Sequence, residues 1–272
     1  MEGTSSGEGS SSGAADESSG GGTSGGEADG CRAGDMLVAP RRVQLAGGLA
    51  VPIDVQALEG ELVFDVATAT TAASAKLRFT VAEAGRPIFD LRQATITEAR
   101  LDGEAIDPSL MPEQDLGGGP GAQMRVLEVE LPACSEHTLE LRYPLAAVSG
   151  VAATPPAIDV DGVTWDFGFS DLAPRMFLEQ WLPANLIHDR HPITLTVEVK
   201  DPPELQRLIS NGAVTELGAA RWSIVFPAYS TAQSTMLVLV PASTVESSSQ
   251  SVLTEGGAEV AIELHHTLTT PK

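Results

Sequence analysis

Where apolar and polar positions along this chain show any period, the period is two. Ile193, Leu195, Val197 and Val199 alternate with Thr194, Thr196 and Glu198, the signature of a half-buried strand. Leu127, Val129 and Leu131 alternate with Glu128 and Glu130, and Leu139, Leu141 and Tyr143 with Glu140 and Arg142. Residues 124–131 and 139–143 are therefore expected as antiparallel neighbours, each with one wet face. Further strands are expected over 61–68, 76–82, 95–101, 104–106, 221–226 and 235–240, and the stretch after Pro144 is read as irregular, interrupted by 163–167. Turn chemistry lies between them. Asp102-Gly103 fits a two-residue hairpin, Asn211-Gly212 offers the positive φ of a tight reversal, and Pro227 and Pro241 stop the strands they follow. No stretch keeps a helical spacing, nor do strands alternate with helices as a parallel sheet requires. The expected fold is an all-β, antiparallel β-sandwich.

Composition alters this picture at both ends. Residues 1–35 are mostly Gly, Ser, Glu, Asp and Ala, with too little apolar surface to offset the entropy of ordering. The sandwich, residues 36–242, is thus expected to be preceded by a disordered N-terminal tail that acts as a tether. Ser243 to Glu255 reads as a polar linker, and Val260, Ile262 and Leu264 as a strand with nothing after it to dock on. Residues 243–272 are accordingly expected to be a linker and a last strand that either pairs back onto the sandwich or is the first strand of a following domain.

The 37 acidic and 16 basic residues leave a net charge of -21, which excludes nucleic acid as a partner because phosphate binding needs clustered Lys and Arg. No run of ~18 apolar residues could span a bilayer, and no export signal is visible after Met1. A Gly/Ser/Glu tract of this type nevertheless looks like the tether of a bacterial lipoprotein, so an extracytoplasmic location, periplasmic or cell-surface, is expected. Cys31 and Cys134 could form one disulfide in an oxidising compartment, though nothing in their spacing demands it.

Catalytic chemistry is sparse. His188 and His191 stand three apart, but Pro192 follows at once, so a solvated turn capped by Asp189 is the simpler reading. His265 and His266 are adjacent on a strand and point to opposite faces. There is no H-E-x-x-H, no G-x-S-x-G elbow and no P-loop, and no metal ligands or catalytic residues are assigned. Trp165, Phe167, Phe169, Phe177 and Trp181 crowd together in a chain that is only 4% aromatic. They are read either as the end of the sandwich core or as a binding surface.

The stretch Phe177 to Gly212 carries a resemblance. Gln180-Trp181-Leu182-Pro183 is similar to the Q-F-E-P motif in the N-terminal β-sandwich of zinc aminopeptidases of the aminopeptidase N and leukotriene hydrolase type. Thr194 to Pro202 matches the strand that follows that motif, and Ser210-Asn211-Gly212 the subsequent turn. Asp102-Gly103 and the strand closing on Tyr143 also sit where that family has a hairpin and an L-x-Y strand end. The resemblance implies that Gln180, with Glu179 beside it, binds the amino terminus of a peptide substrate. Leu182 stands where the motif has glutamate, and the family's D-A-R-R and P-C-F-D-E-P run is shortened to Asn185–Pro192. It also implies that the chain is a non-catalytic domain of a truncated or split enzyme. Zinc and the general base would then come only with a catalytic domain, which would be the partner. The alternative is a standalone, tethered β-sandwich binding module.

Overall fold

The computed structural model describes residues 42–92, 94–116, 123–145, 156–159, 161–167, 178–185, 189–230 and 235–268. The tail expected over 1–35, together with Cys31, Phe169, Phe177 and His188, lies outside them. The chain runs from β1 (Val43–Leu45) into β2 (Gly48–Asp65) and returns as β3 (Thr70–Val81). β4 (Arg86–Phe89), β5 (Glu98–Leu101), β6 (Glu104–Ile106), β7 (Glu113–Asp115), β8 (Gln123–Val126) and β9 (Ser135–Tyr143) complete the first half. Then follow β10 (Ala157–Asp159), β11 (Gly162–Phe167), β12 (Ile193–Lys200), β13 (Gln206–Ser210), β14 (Ala213–Gly218), β15 (Arg221–Phe226) and β16 (Leu237–Pro241). A hairpin of β17 (Val245–Leu253) and β18 (Glu259–Thr267) comes last, and no α-helix occurs among the described residues.

One large sheet has the order β14-β15-β12-β2-β3-β9-β5-β6, with β1, β4, β7 and β8 attached beside β2; a smaller one has the order β10-β11-β16-β13. A single core joins them. Leu62 and Phe64 of β2, Leu77 of β3, Leu139 of β9 and Leu195 of β12 share it with Val163 and Trp165 of β11 and Leu239 of β16. The Phe64 and Trp165 rings meet across the two sheets with centroids 5.6 Å apart. This is the all-β sandwich expected from the alternation.

Strand β2 shows how a sequence pattern can be hidden. Val51, Ile53 and Val55 are buried at odd positions, and then Leu58, Leu62 and Phe64 at even ones. The register against β3 slips between Val55 and Ala57, so Gln56 is a bulge that moves the core face from one parity to the other. Alternation counted across the bulge fails, and for that reason the strand expected at 61–68 is only the end of a much longer one, with a turn after Asp65.

Other expectations are corrected. Residues 124–131 bury Met124, Leu127 and Leu131, yet only Gln123–Val126 is strand, and it pairs with β4 and β7 rather than with β9. Beyond Val126 the amides of Leu127 and Glu128 donate to Pro87 and Leu110, so burial alternates there without a ladder. Asp102-Gly103 is the hairpin turn foreseen, at φ 53° and 85°. Gly212 is not: its φ is not positive, and a Cβ there would come within 2.5 Å of Ile224 Cγ2. Close approach of chains is what requires that glycine. Two pairings among the described strands, β12 with β2 and β2 with β4, are parallel. β12 reaches β2 only after the chain has passed through β3 to β11, the long connection that parallel neighbours need. Finally, Val245–Leu253, read as linker, is strand β17, paired along its length with β18.

Candidate functional site

The segment Leu178–Asn185 leads into β12 and is held at every turn of its backbone. A short 3-10 turn, Leu178–Gln180, opens it, and the amides of Trp181 and Leu182 both donate to Leu178 O, at 3.0 and 2.8 Å. Arg92 N donates to Glu179 O at 2.8 Å, while Asp90 and Ala184 exchange both of their backbone bonds at 2.7 and 2.8 Å. Tyr143 Oη, at the end of β9, donates to Trp181 O at 2.8 Å, and Asn185 Nδ2 to Ile53 O at 2.6 Å. The Trp181 indole meets Trp165 edge to face, centroids 5.2 Å apart. Leu182 packs over Gly60 of β2, where a Cβ would lie 3.0 Å from Leu182 Cδ2 and 2.8 Å from Leu195 Cδ2. Only a glycine lets the segment approach β2 so closely.

This packing answers the question for two members of the aromatic cluster. Trp165 and Trp181 belong to the core. Leu178, Glu179, Trp181, Leu182, Pro183, Ala184 and Asn185 are all buried, and Gln180 alone in this run is partly exposed. The two residues proposed from sequence are therefore adjacent but differ in kind: Gln180 is partly exposed and Glu179 is 3% exposed.

Burial, reinforced by the charge of Asp90, pushes the Glu179 carboxyl up to about 7, against the pull of Arg92 and a hydrogen bond from the Gln180 side chain. Burial also raises Asp90, opposed by Arg92, whose Nε and Nη2 donate to its carboxylate at 2.8 to 3.2 Å. Behind this pair Arg125 donates to Leu91 O, Met111 O and Ala94 O and to Glu113 Oε1. Sequence reasoning missed Asp90 and Arg92. The usable signal was two charged residues flanking the single apolar Leu91, which is fully buried. An amide that gives its N–H to Glu179 keeps its carbonyl oxygen available as an acceptor, and a carboxyl near neutrality can add negative charge behind it. The arrangement can receive a cationic donor.

The turn before β12 differs from expectation. Asp189 Oδ1 does accept from Arg190 N at 2.8 Å, but His191 is 2% exposed, not solvated. Neither of its ring nitrogens has a hydrogen-bond partner, and Asp189 Oδ2 is 3.9 Å from Nδ1. Burial lowers its pKa to about 4, with Asp54 opposing. His265 and His266 take opposite faces of β18, facing Ser247 and Glu246.

Among the described residues no group of three or more His, Cys, Asp or Glu could hold a metal ion, so those residues do not fit a zinc site. Nor is any helix among them long and apolar enough to cross a membrane. Cys134 is disulfide-bonded. On its outer face the large sheet forms a shallow trough of about 740 Å³. Its floor is the charge ladder Glu59, Lys76, Glu140 and Arg100 across four strands, in which opposite charges neutralise one another.

In fold these sheets are similar to part of M1 zinc metallopeptidases of known structure. The M1 zinc metallopeptidase from Deinococcus radiodurans matches with a TM-score of 0.53 and 15% identity, over 80% of this chain and 48% of that one. A mutant of a two-domain M1 zinc metallopeptidase bound to L-tryptophan matches with a TM-score of 0.52 and 16% identity, over 80% and 49%. Aminopeptidase A of Legionella pneumophila, in complex with aspartic acid, matches with a TM-score of 0.54 and 11% identity, over 78% and 24%. The chain thus spans about half the length of the first two and a quarter of the third. No family profile matches the sequence, and no curated protein is similar to it in sequence.

Proposed function

We propose that this chain is a non-catalytic β-sandwich domain that works beside the catalytic domain of an M1-type zinc aminopeptidase, in the same polypeptide or another. It would wall the substrate groove and help bind the amino terminus of a peptide through Gln180, with Glu179 behind it. The observation that carries this reading is the contrast in exposure within Leu178–Asn185, where every neighbour is locked down and Gln180 alone remains accessible. Zinc would come with the catalytic domain, since the described residues of this chain do not fit it. The domain division into tether, sandwich and following segment belongs to the same proposal. So does an extracytoplasmic location, with which the disulfide at Cys134 agrees.

The test begins with the sequence flanking the coding region. An H-E-x-x-H polypeptide that co-purifies with this chain supports the proposal. In that assembly Gln180→Ala should raise KM for a free-amine aminoacyl substrate roughly tenfold, as loss of one bond to a charged group does, and leave an amine-blocked substrate unaffected. Equal effects on both substrates would remove Gln180 from amine binding. A second reading, a standalone binding module, is favoured by one observation: Trp165 and Trp181 are covered without any partner domain. Failure to find a catalytic partner would turn the argument that way.

A further inference from the structure

The hairpin of β17 and β18 is a two-stranded sheet that pairs with no other described strand. Its register sets Val252 opposite Val260, Gln250 opposite Ile262 and Ser248 opposite Leu264. Opposed residues share a face and successive residues alternate, so Val252, Val260, Ile262 and Leu264 lie on one side. They are 43%, 46%, 42% and 59% exposed. The other side carries Ser247, Ser249, Ser251, Glu263 and His265, with Leu253 73% exposed at its turn end, and a 2.7 Å contact from Ser247 Oγ to His265 Nδ1. A two-stranded hairpin is marginal in water, and an exposed apolar edge strand is a template for pairing.

The residues of β18 complement themselves about one point. An antiparallel copy centred on Ile262 sets Ile262 against itself, Val260 against Leu264, and Glu259 against His265 of the second chain. Ala261 then faces Glu263, and no two carboxylates are opposed. The register centred one residue later would oppose Glu263 to itself and Val260 to His266, which like charge and polarity disfavour. We infer that the β18 edge pairs with β18 of a second copy about a two-fold axis through Ile262, joining the two hairpins into one four-stranded sheet. Such a contact is isologous and closes at the dimer. Each chain carries a net charge of -21, so association should strengthen as salt screens the repulsion. The inference is independent of the function proposed above.

Sedimentation equilibrium of the full chain tests it. A reversible monomer–dimer equilibrium is expected, tighter at high salt. Ile262→Lys sets two like charges on the axis and should weaken association at least about tenfold, whereas Ser249→Lys, on the far strand and opposite face, should leave it within about twofold. If Ile262→Lys disorders the hairpin, Ile262→Cys serves instead. Only a residue on the axis can cross-link to itself, so oxidation should give a covalent dimer for Ile262→Cys and none for Ser249→Cys. A chain that stays monomeric at every concentration and salt, or equal cross-linking of the two cysteine variants, overturns the pairing. The edge would then be free for another partner, such as a catalytic domain.

Discussion

The Leu178–Asn185 segment and the β17–β18 hairpin both carry apolar side chains outside the regular ladders of the sandwich, and they end in opposite conditions. In the first, Trp181 and Leu182 are 3% and 0% exposed, and hydrogen bonds from Tyr143, Arg92, Asp90 and Asn185 tie the backbone to three other parts of the chain. In the second, Ile262 and Leu264 stay open to solvent, and the turn before the hairpin is tied to the sandwich by Ala242 N donating to Leu205 O and Ser243 Oγ to Glu204 Oε1. Apolar content was not what separated them. The segment has long-range partners already built around it, while the hairpin has only itself. A locked segment can hold one accessible side chain in a fixed place, as binding requires; an open hairpin offers a surface, as association requires.

The sharpest way to break this comparison is Trp181→Ala. Removing a buried indole that packs on Trp165 should cost about 3–5 kcal/mol, seen as a lower urea midpoint for unfolding. A loss below about 1 kcal/mol would mean that the segment is not part of the cooperative core.

Two buried titrating groups beside the segment sharpen it next, with opposite signs. His191 has its folded pKa lowered to about 4, so its contribution is fully present above the unfolded value near 6.5 and is lost as pH falls toward 4. Glu179 is raised to about 7, so its contribution is present below 4.5 and lost as pH rises through 7. Each shift corresponds to roughly 3 kcal/mol, and between pH 4.5 and 6.5 the two slopes cancel. His191→Phe should therefore expose a stability that falls with pH across that window, and Glu179→Gln one that rises, in urea titrations at several pH values. Identical pH profiles for the two variants would contradict both assignments.

Tyr143→Phe tests a single tie. It leaves Trp181 O buried without its donor, which should cost about 1–2 kcal/mol in the same assay and leave the pH profile unchanged. A neutral outcome would show that water replaces the hydroxyl.

How much of this was legible follows the same division. β12 could be read directly, because Ile193 to Val199 alternate without interruption and face one core. β2 could not, since Gln56 shifts the phase and Gly60, which carries no side chain to register, stands where a core residue would be. Residues 127–131 displayed the right burial and suggested the wrong pairing, as alternation reports which side is dry and not which chain lies alongside. Gln180 and Glu179 were found through a short motif, but their environment was not. Asp90 and Arg92 come from a distant loop without periodicity, and only the fold brings them beside Glu179. The neutral, buried state of His191 likewise depends on neighbours far away in sequence, among them Asp54.

The smallest expected effect completes the contrast. Leu264→Ser removes apolar surface from the hairpin that is 59% exposed and belongs to neither buried core cluster. Unfolding of the sandwich should shift by less than about 0.5 kcal/mol, as for surface positions generally. Apolar side chains that stay wet in the folded chain contribute little on folding, because the folded and unfolded states hydrate them alike. The same substitution should act on association, where Leu264 would face Val260 of a second copy. A variant that leaves urea unfolding untouched and weakens self-association would separate the two regions by what their apolar residues are for. If instead Leu264→Ser lowered the urea midpoint as Trp181→Ala does, the hairpin would be packed on the sandwich and the contrast between the two regions would fail.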